Sequence, residues 1–303
     1  MQKLRRKIIK DYRFPFKFTD DEYFSYFMDL YKNDFDLCEP WENMLIASED
    51  LGGANELYDY SDNLHRTVIE DIKNKEAYTK FNTVNLPQIG QRNFTVSKRS
   101  PYHSDFEGFR LISIDLVKAN FQVLKKYDSE IVNNSSNYLE FISKYTPYRY
   151  FQESKQIRQI IFGNLNPKRQ QAFQRRQMED IMEVLNKYRE DFTFHGLTSD
   201  EVFLYIHNQP SESLIAEIKD CLIQLNLDIR VELFQLVSLG RKCFVKEFLD
   251  NNDQITKIEF KGVPGHLFPQ AYKRYYKLPL NDKDMTFIFE GEKARLLYKA
   301  FGE

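Results

Sequence analysis

Two acidic positions in this 303-residue chain stand at the ends of apolar, strand-like runs. Asp115 follows Leu111-Ile112-Ser113-Ile114, and Asp200-Glu201 opens Val202-Phe203-Leu204-Tyr205-Ile206. Carboxylates at the ends of neighbouring strands are what a pair of divalent ions about 3.5 to 4 Å apart requires, and such a pair drives in-line phosphoryl transfer by steadying the attacking and leaving oxygens. Successive strand residues point to opposite faces, so Asp200 is expected to lead the coordination with Glu201 assisting from the edge. Taken alone, Asp115 fits a cap on the helix that follows, and Asp200-Glu201 fits a solvated turn.

The segment between the acids adds cations. In Glu153-Ser154-Lys155-Gln156-Ile157-Arg158-Gln159-Ile160-Ile161-Phe162-Gly163, Lys155 and Arg158 fall on nearby helical turns and Gly163 ends the helix. Such a face would hold a triphosphate through Lys155 and Arg158 while Phe162 packs against a base pair; alone it also fits a solvated basic helix. Backbone N–H groups of Leu116, Val117, Lys118 and Ala119, at the start of a helix after Asp115, offer a further anion site. Lys168-Arg169, with Arg175-Arg176 beyond, forms a second cationic cluster that would meet a template backbone without reading sequence. His195, His207 and His266 lack metal-ligand spacing, and neither a phosphate-binding loop nor a GxSxG nucleophile elbow occurs.

These residues must be positioned by a mixed architecture. Thr19-Asp20-Asp21-Glu22 reads as a cap before Tyr23, Phe24, Phe27, Met28 and Leu30, and helical periodicity runs to about residue 82 with a break at Gly52-Gly53. Strands are expected at 93–97 and 109–114, helices at 117–127 and 137–144, and a basic helix pair over 151–188 interrupted at 163–167. Strand character returns at 192–206, followed by a helix at 211–225 and strands at 230–236, 242–249 and 256–260. Asn251-Asn252-Asp253 joins the last two. The tail reads as a helix at 269–276, a strand at 285–290 and a helix from Gly291. An antiparallel sheet backed by helices, with a helical excursion between its acidic strands, is an α+β plan.

Composition is ordinarily globular, at 42% hydrophobic and 29% charged residues, with a formal charge of −2 that exerts no overall pull on nucleic acid. The wealth of Phe, Tyr, Lys and Asn leans toward AT-rich coding, as in a virus or a low-GC bacterium. Basic Met1-Gln2-Lys3-Leu4-Arg5-Arg6-Lys7 lacks the apolar segment of a secretory signal, and no run approaches a membrane span, so a cytoplasmic protein is expected. Cys38, Cys221 and Cys243 are expected as reduced core thiols.

Taken in order, these elements resemble the motifs of right-hand nucleic-acid polymerases of the A and B families. Asp115 followed by Leu-Val-Lys-Ala-Asn resembles motif A, with Asn120 at the sugar-gate position. Lys155, six residues and Phe162-Gly163 resemble motif B. Ser199-Asp200-Glu201 resembles the His-Asp-Glu of motif C. Arg241-Lys242-Cys243-Phe244 and Lys261-Gly262 resemble two elements associated with primer-template contact. The likeness spans about residues 108–262 and departs from the families at Asn120, at Phe162 in place of Tyr, and in having no Arg four residues before Lys155.

The resemblance implies an antiparallel palm-like sheet within 106–262, a fingers-like helical insertion at 128–190, a helical N-terminal lobe over 1–105 and a small C-terminal lobe over 263–303. It further implies template-dependent nucleotidyl transfer without a proofreading exonuclease. Asp115 and Asp200 would bind two Mg²⁺, with Mn²⁺ as a substitute; Lys155, Arg158 and Asn120 would meet the nucleoside triphosphate; Lys168, Arg169, Lys242 and Lys261 would meet the primer-template. A template-independent nucleotidyltransferase and a non-catalytic nucleic-acid-binding accessory protein are the alternatives.

Overall fold

A computed structural model describes residues 1–87, 101–188, 190–207 and 212–301; the strand expected at 93–97 lies outside the described residues. The chain opens with five helices: α1 (Gln2–Tyr12), α2 (Asp21–Tyr31), α3 (Cys38–Leu51), α4 (Ala54–Lys73) and α5 (Glu76–Thr83). Sequence reading missed α1, whose charged residues outnumber its core positions Leu4 and Ile8. Its other expectations here hold: Asp20 caps α2 by accepting from the Tyr23 N–H at 3.1 Å, and Gly52, at φ 97°, ends α3 in the left-handed conformation that favours glycine.

Next come β1 (Leu111–Leu116), α6 (Ala119–Tyr127), α7 (Tyr138–Ser143), α8 (Arg149–Glu153), α9 (Lys155–Gly163) and α10 (Pro167–Leu185). They are followed by β2 (Phe192–Leu197), β3 (Glu201–Ile206), α11 (Glu212–Ile223), β4 (Ile229–Gly240), β5 (Cys243–Leu249), β6 (Ile255–Lys261), α12 (Phe268–Tyr275), β7 (Thr286–Phe289) and β8 (Glu292–Arg295). The helix expected from Gly291 is instead β8. A turn at Glu290-Gly291, both with positive φ, folds it back on β7 as a two-stranded sheet.

The larger sheet is fully antiparallel in the order β2-β3-β1-β4-β5-β6. Its first four strands, with the helices between β1 and β2 and between β3 and β4, make a split βαβ arrangement. Alternation divides the faces of this sheet. Ile112, Ile114 and Leu116 of β1, with Val202, Leu204 and Ile206 of β3, pack against Met178, Ile181, Met182 and Leu185 of α10 and Ile218 and Leu222 of α11. On the opposite face Leu111, Phe203, Phe234, Leu236, Phe244 and Phe248 form a smaller cluster beneath Tyr102 and Phe106.

The helices on either side of β1 share one core. Phe27, Leu57 and Phe81 of the N-terminal helices belong to the same buried cluster as Phe121, Phe141, Phe151 and Phe162, together with Tyr272 of α12. The helical insertion is thus packed on the N-terminal helices rather than standing apart. Cys221 and Cys243 are buried thiols, but Cys38 is exposed because it opens α3 at the surface. Among the described residues no helix is long and apolar enough to cross a membrane.

The C-terminal segment is tied down by a buried ion pair. Asp284 is fully buried and accepts from Lys273 Nζ at 2.7 Å, the Tyr26 hydroxyl at 2.7 Å and the Asn281 amide at 2.8 Å, joining α12, α2 and the approach to β7. Removing the carboxylate leaves a buried ammonium without its counter-charge. Asp284→Ala is therefore expected to lower unfolding stability by about 3 to 5 kcal/mol in urea titrations followed by circular dichroism. A loss below about 1 kcal/mol would refute this role.

Candidate functional site

Register brings the acids together. Asp115 stands opposite Glu201 across the β1–β3 pair and opposite Arg230 across the β1–β4 pair, so the three side chains share a face. Arg230 Nη2 donates to Asp115 Oδ2 at 2.7 Å, and its Nε lies 3.3 Å from Glu232 Oε2. Glu201 accepts from the Ser113 hydroxyl and, at 3.0 Å, from Lys246 Nζ. Lys246 is buried and reaches that carboxylate over aromatic rings, 4.3 Å from the centre of Phe234 and 4.7 Å from that of Phe248. Asp200 occupies the β2–β3 turn, where its Oδ1 accepts from the hydroxyls of Thr198 and Ser199 at 3.3 and 3.1 Å and its carbonyl accepts from the Leu116 N–H at 2.9 Å. Strand alternation thus makes Glu201 the direct cross-strand neighbour of Asp115, with Asp200 in the adjoining turn.

Burial raises the pKa of Asp115, and the charges of Glu201 and Asp200 raise it further; Arg230 opposes them without cancelling the shift. Carboxylate oxygens are the donor type Mg²⁺ prefers, and here two strands supply them side by side. Among the described residues, however, no three His, Cys, Asp or Glu side chains converge as a metal-binding group. Arg230 and Lys246 supply the positive charge at the two facing acids.

A group of cations begins three residues after Asp115 in the chain. Lys118, left-handed at φ 53° between β1 and α6, places Nζ 5.3 Å from the centre of the Tyr138 ring, and Arg158 lies 5.5 Å from the same ring. Burial lowers the pKa of Lys118, and Arg158 lowers it further. Lys155 is lowered by burial and then by Arg13, Arg158 and Lys261. Arg158 is lowered by burial with a further push from Arg13. Like charges crowded enough to depress one another gain free energy when an anion enters among them. Ser154 builds this edge by capping α9, accepting from the Ile157 N–H at 3.2 Å and so starting the helix at Lys155.

The remaining expected residues divide. The N–H groups of Leu116 and Val117 already donate to the carbonyls of Asp200 and Asp228, so neither is left for a phosphate. Lys118 and Ala119 stand at the cap and first position of α6, where a helix leaves N–H groups without intrahelical acceptors. Asn120 accepts from Gln174 Nε2 at 2.5 Å, linking the expected sugar gate to α10. Phe162 is fully buried against Phe121 and Tyr138, so packing removes it from any base. Arg169 is a structural tie, donating to the Phe81 carbonyl and lying over that ring, whereas Lys168 is exposed. Lys242 and Lys261 come together because β5 pairs with β6 and Gly262 nests against the Lys242 carbonyl, which an added Cβ would approach to 2.5 Å.

Sequence reading missed Arg230, Lys246, Ser113, Arg13 and Tyr138. The spacing Phe244-x-Lys246-x-Phe248 was the available signal, since strand alternation puts that lysine and both rings on one face. No protein-family model and no curated protein matches the chain.

Replacing Arg230 by Met removes the cation that draws the Asp115 pKa down, so carboxyl ¹³C NMR should show Asp115 titrating at higher pH in R230M; an unchanged titration would mean that the pair carries no energy in solution. Glu259 gives a second test. Burial pushes its pKa up, but Lys261 and Lys257, each with Nζ 2.7 Å from a carboxylate oxygen, outweigh burial and hold it at about 2. Its stabilisation is therefore present above the unfolded glutamate pKa of about 4.3 and is lost as pH falls through the folded value. In Glu259→Gln the stability difference from the parent should shrink as urea titrations move from about pH 5 to about pH 2, and a difference constant over that window would contradict the assignment.

Proposed function

We propose that this chain is a nucleotidyltransferase that extends a primer on a nucleic-acid template. The observation that supports this most is the placement of a carboxylate cluster and a cation cluster within three residues of one another, at Asp115 and Lys118. Asp115 and Glu201 would hold Mg²⁺ at the end of the sheet once Arg230 and Lys246 release them, with Asp200 turning in from the β2–β3 turn. Bound there, the metal supplies activation of the primer 3′-hydroxyl and neutralisation of the leaving pyrophosphate.

The protein's own groups then divide the work. Lys118, Lys155 and Arg158 bind and orient the triphosphate; Asn120, fixed by Gln174, meets the sugar; Lys242 and Lys261, joined at one edge of the sheet, hold the duplex backbone. Lys246 and Ser113 position Glu201, since both contact its carboxylate. Arg230 must leave Asp115 when metal enters, and its half-exposed side chain has room to do so.

A second reading is favoured by the ion pairs themselves. Arg230 and Lys246 already neutralise the facing acids, as in a nucleic-acid-binding accessory protein without catalysis. Primer extension with Mg²⁺, with and without template, separates the two. The catalytic reading expects template-directed incorporation that falls about a hundred- to a thousandfold in Asp115→Ala and in an Asp200→Ala/Glu201→Ala double variant, with duplex binding retained. Normal incorporation by either variant would sink the mechanism, and binding that survives chelation without any incorporation would establish the second reading.

A further inference from the structure

Away from the acids, α1 and the β7–β8 hairpin enclose two adjoining hollows, of about 1020 and about 700 Å³, that share Arg13, Phe14, Phe16, Lys17 and Ile288 in their walls. Arg6 and Lys10 stand one turn apart as a stripe on the exposed side of α1, opposite the buried Leu4 and Ile8, and Arg13, the left-handed residue at φ 57° that ends the helix, lines the same hollow. Lys17 and Lys293 extend the stripe along the first hollow, and Lys155 and Lys261 line the second.

Three acids line these walls; two are paired, and the third, Glu292, is exposed at the hairpin turn. Asp20 lies 3.4 Å from Lys293, and Glu259 is held by Lys257 and Lys261. Among the described residues no carboxylate pairs with Arg6, Lys10 or Lys17, which concentrates positive charge on one path of a chain whose formal charge is −2. The second hollow is aromatic, with Phe14 and Phe16 in its floor, Phe287 in its wall and Phe289, 59% exposed, at its rim.

We infer that this groove binds single-stranded nucleic acid, with phosphates along the α1 stripe and bases entering the aromatic hollow. A row of cations beside the exposed Phe289 and the half-buried Phe287 matches a strand that presents phosphates on one side and unstacked bases on the other. A duplex keeps its bases stacked inside and cannot use Phe289. An acidic peptide would satisfy the cations but leave the aromatic hollow unfilled. The groove requires no metal and no acid of the β1–β3 pair; it shares Lys155 and Lys261 with the catalytic proposal, so its test uses Lys10, Lys17 and Phe289, which that proposal leaves aside.

The test is fluorescence anisotropy of a labelled oligothymidylate of about 20 nucleotides with the full chain in EDTA, across a salt series. Lys10→Glu/Lys17→Glu should weaken binding at least about tenfold and reduce the slope of log affinity against log salt by about 0.7 for each phosphate no longer neutralised. Phe289→Ala should weaken it about fivefold or more with the slope unchanged. Asp115→Ala should bind like the parent, and circular dichroism should show the charge-reversal and Phe289 variants folded, since Lys10, Lys17 and Phe289 are exposed. Unchanged affinity in the double charge reversal would overturn the groove, as would a duplex of equal length binding as tightly or polyglutamate competing as well as the unlabelled strand. Failure of primer extension with these effects intact would sink only the catalytic reading, whereas normal extension with no effect of Lys10, Lys17 or Phe289 would sink only the groove.

Discussion

The register of β1 is the constraint on which the site rests. Its neighbours β3 and β4 lie on both sides, and Ile112, Ile114 and Leu116 are pressed on the core formed by α10 and α11. A slip of one residue against either neighbour would turn that apolar set out of the core, so the buried face fixes the pairing. The opposite face has no freedom left. Asp115 meets Glu201 on one side and Arg230 on the other because hydrophobic burial on the far side has already set the alignment. Chemistry on one face of this strand is specified by packing on the other.

Electrostatics around that strand are uneven. The facing carboxylates have cationic partners, and Lys246 reaches its partner from a nearly dry position over aromatic rings that lessen the cost of burying an ammonium. The cations beyond Asp115 are compensated only in part, by the Tyr138 ring under Lys118 and Arg158 and by the charges of Asp228, Glu153 and Glu259. Lys118, Lys155 and Arg158 are partly desolvated and repel one another. A fold that neutralises its acids and leaves adjoining cations crowded has an energetic place for an anion, and this asymmetry gives the phosphate-binding proposal a physical basis independent of motif spacing.

Much of the architecture was legible in the sequence because it depends on local periodicity and punctuation. The Asp20 cap, the Gly52-Gly53 break, the acidic strand ends and the Asn251-Asn252-Asp253 turn are short-range signals, and each appears where it was expected. What escaped was non-local. Arg230 lies 115 residues from Asp115, and only sheet order brings it across. Lys246 pairs with Glu201 by spanning two intervening strands, β4 and β1. Which of Asp200 and Glu201 faces Asp115 was not legible, because alternation tells that adjacent residues differ in face, but only the pairing register tells which of them shares the face of Asp115. For β8 the sequence carried a glycine turn, but its short polar run gave no apolar alternation to distinguish strand from helix.

Phe162 shows why a spacing can be right while a role is wrong. Residues seven apart on a helix lie on nearly one stripe, so Lys155 and Phe162 of α9 point in similar directions. Lys155, though partly desolvated by its neighbours, stays open to solvent, Arg158 is half-buried and Phe162 is fully buried. The stripe therefore runs from solvent into the core, with α9 tilted so that its start lies at the cationic edge and its end packs on Phe121 and Tyr138. Those same contacts couple the two regions: Phe121 is the residue after Asn120, and Tyr138 is the ring that carries Lys118 and Arg158. An aromatic at this position cannot touch a base, but its packing sets where Lys118, Arg158 and Asn120 stand relative to one another.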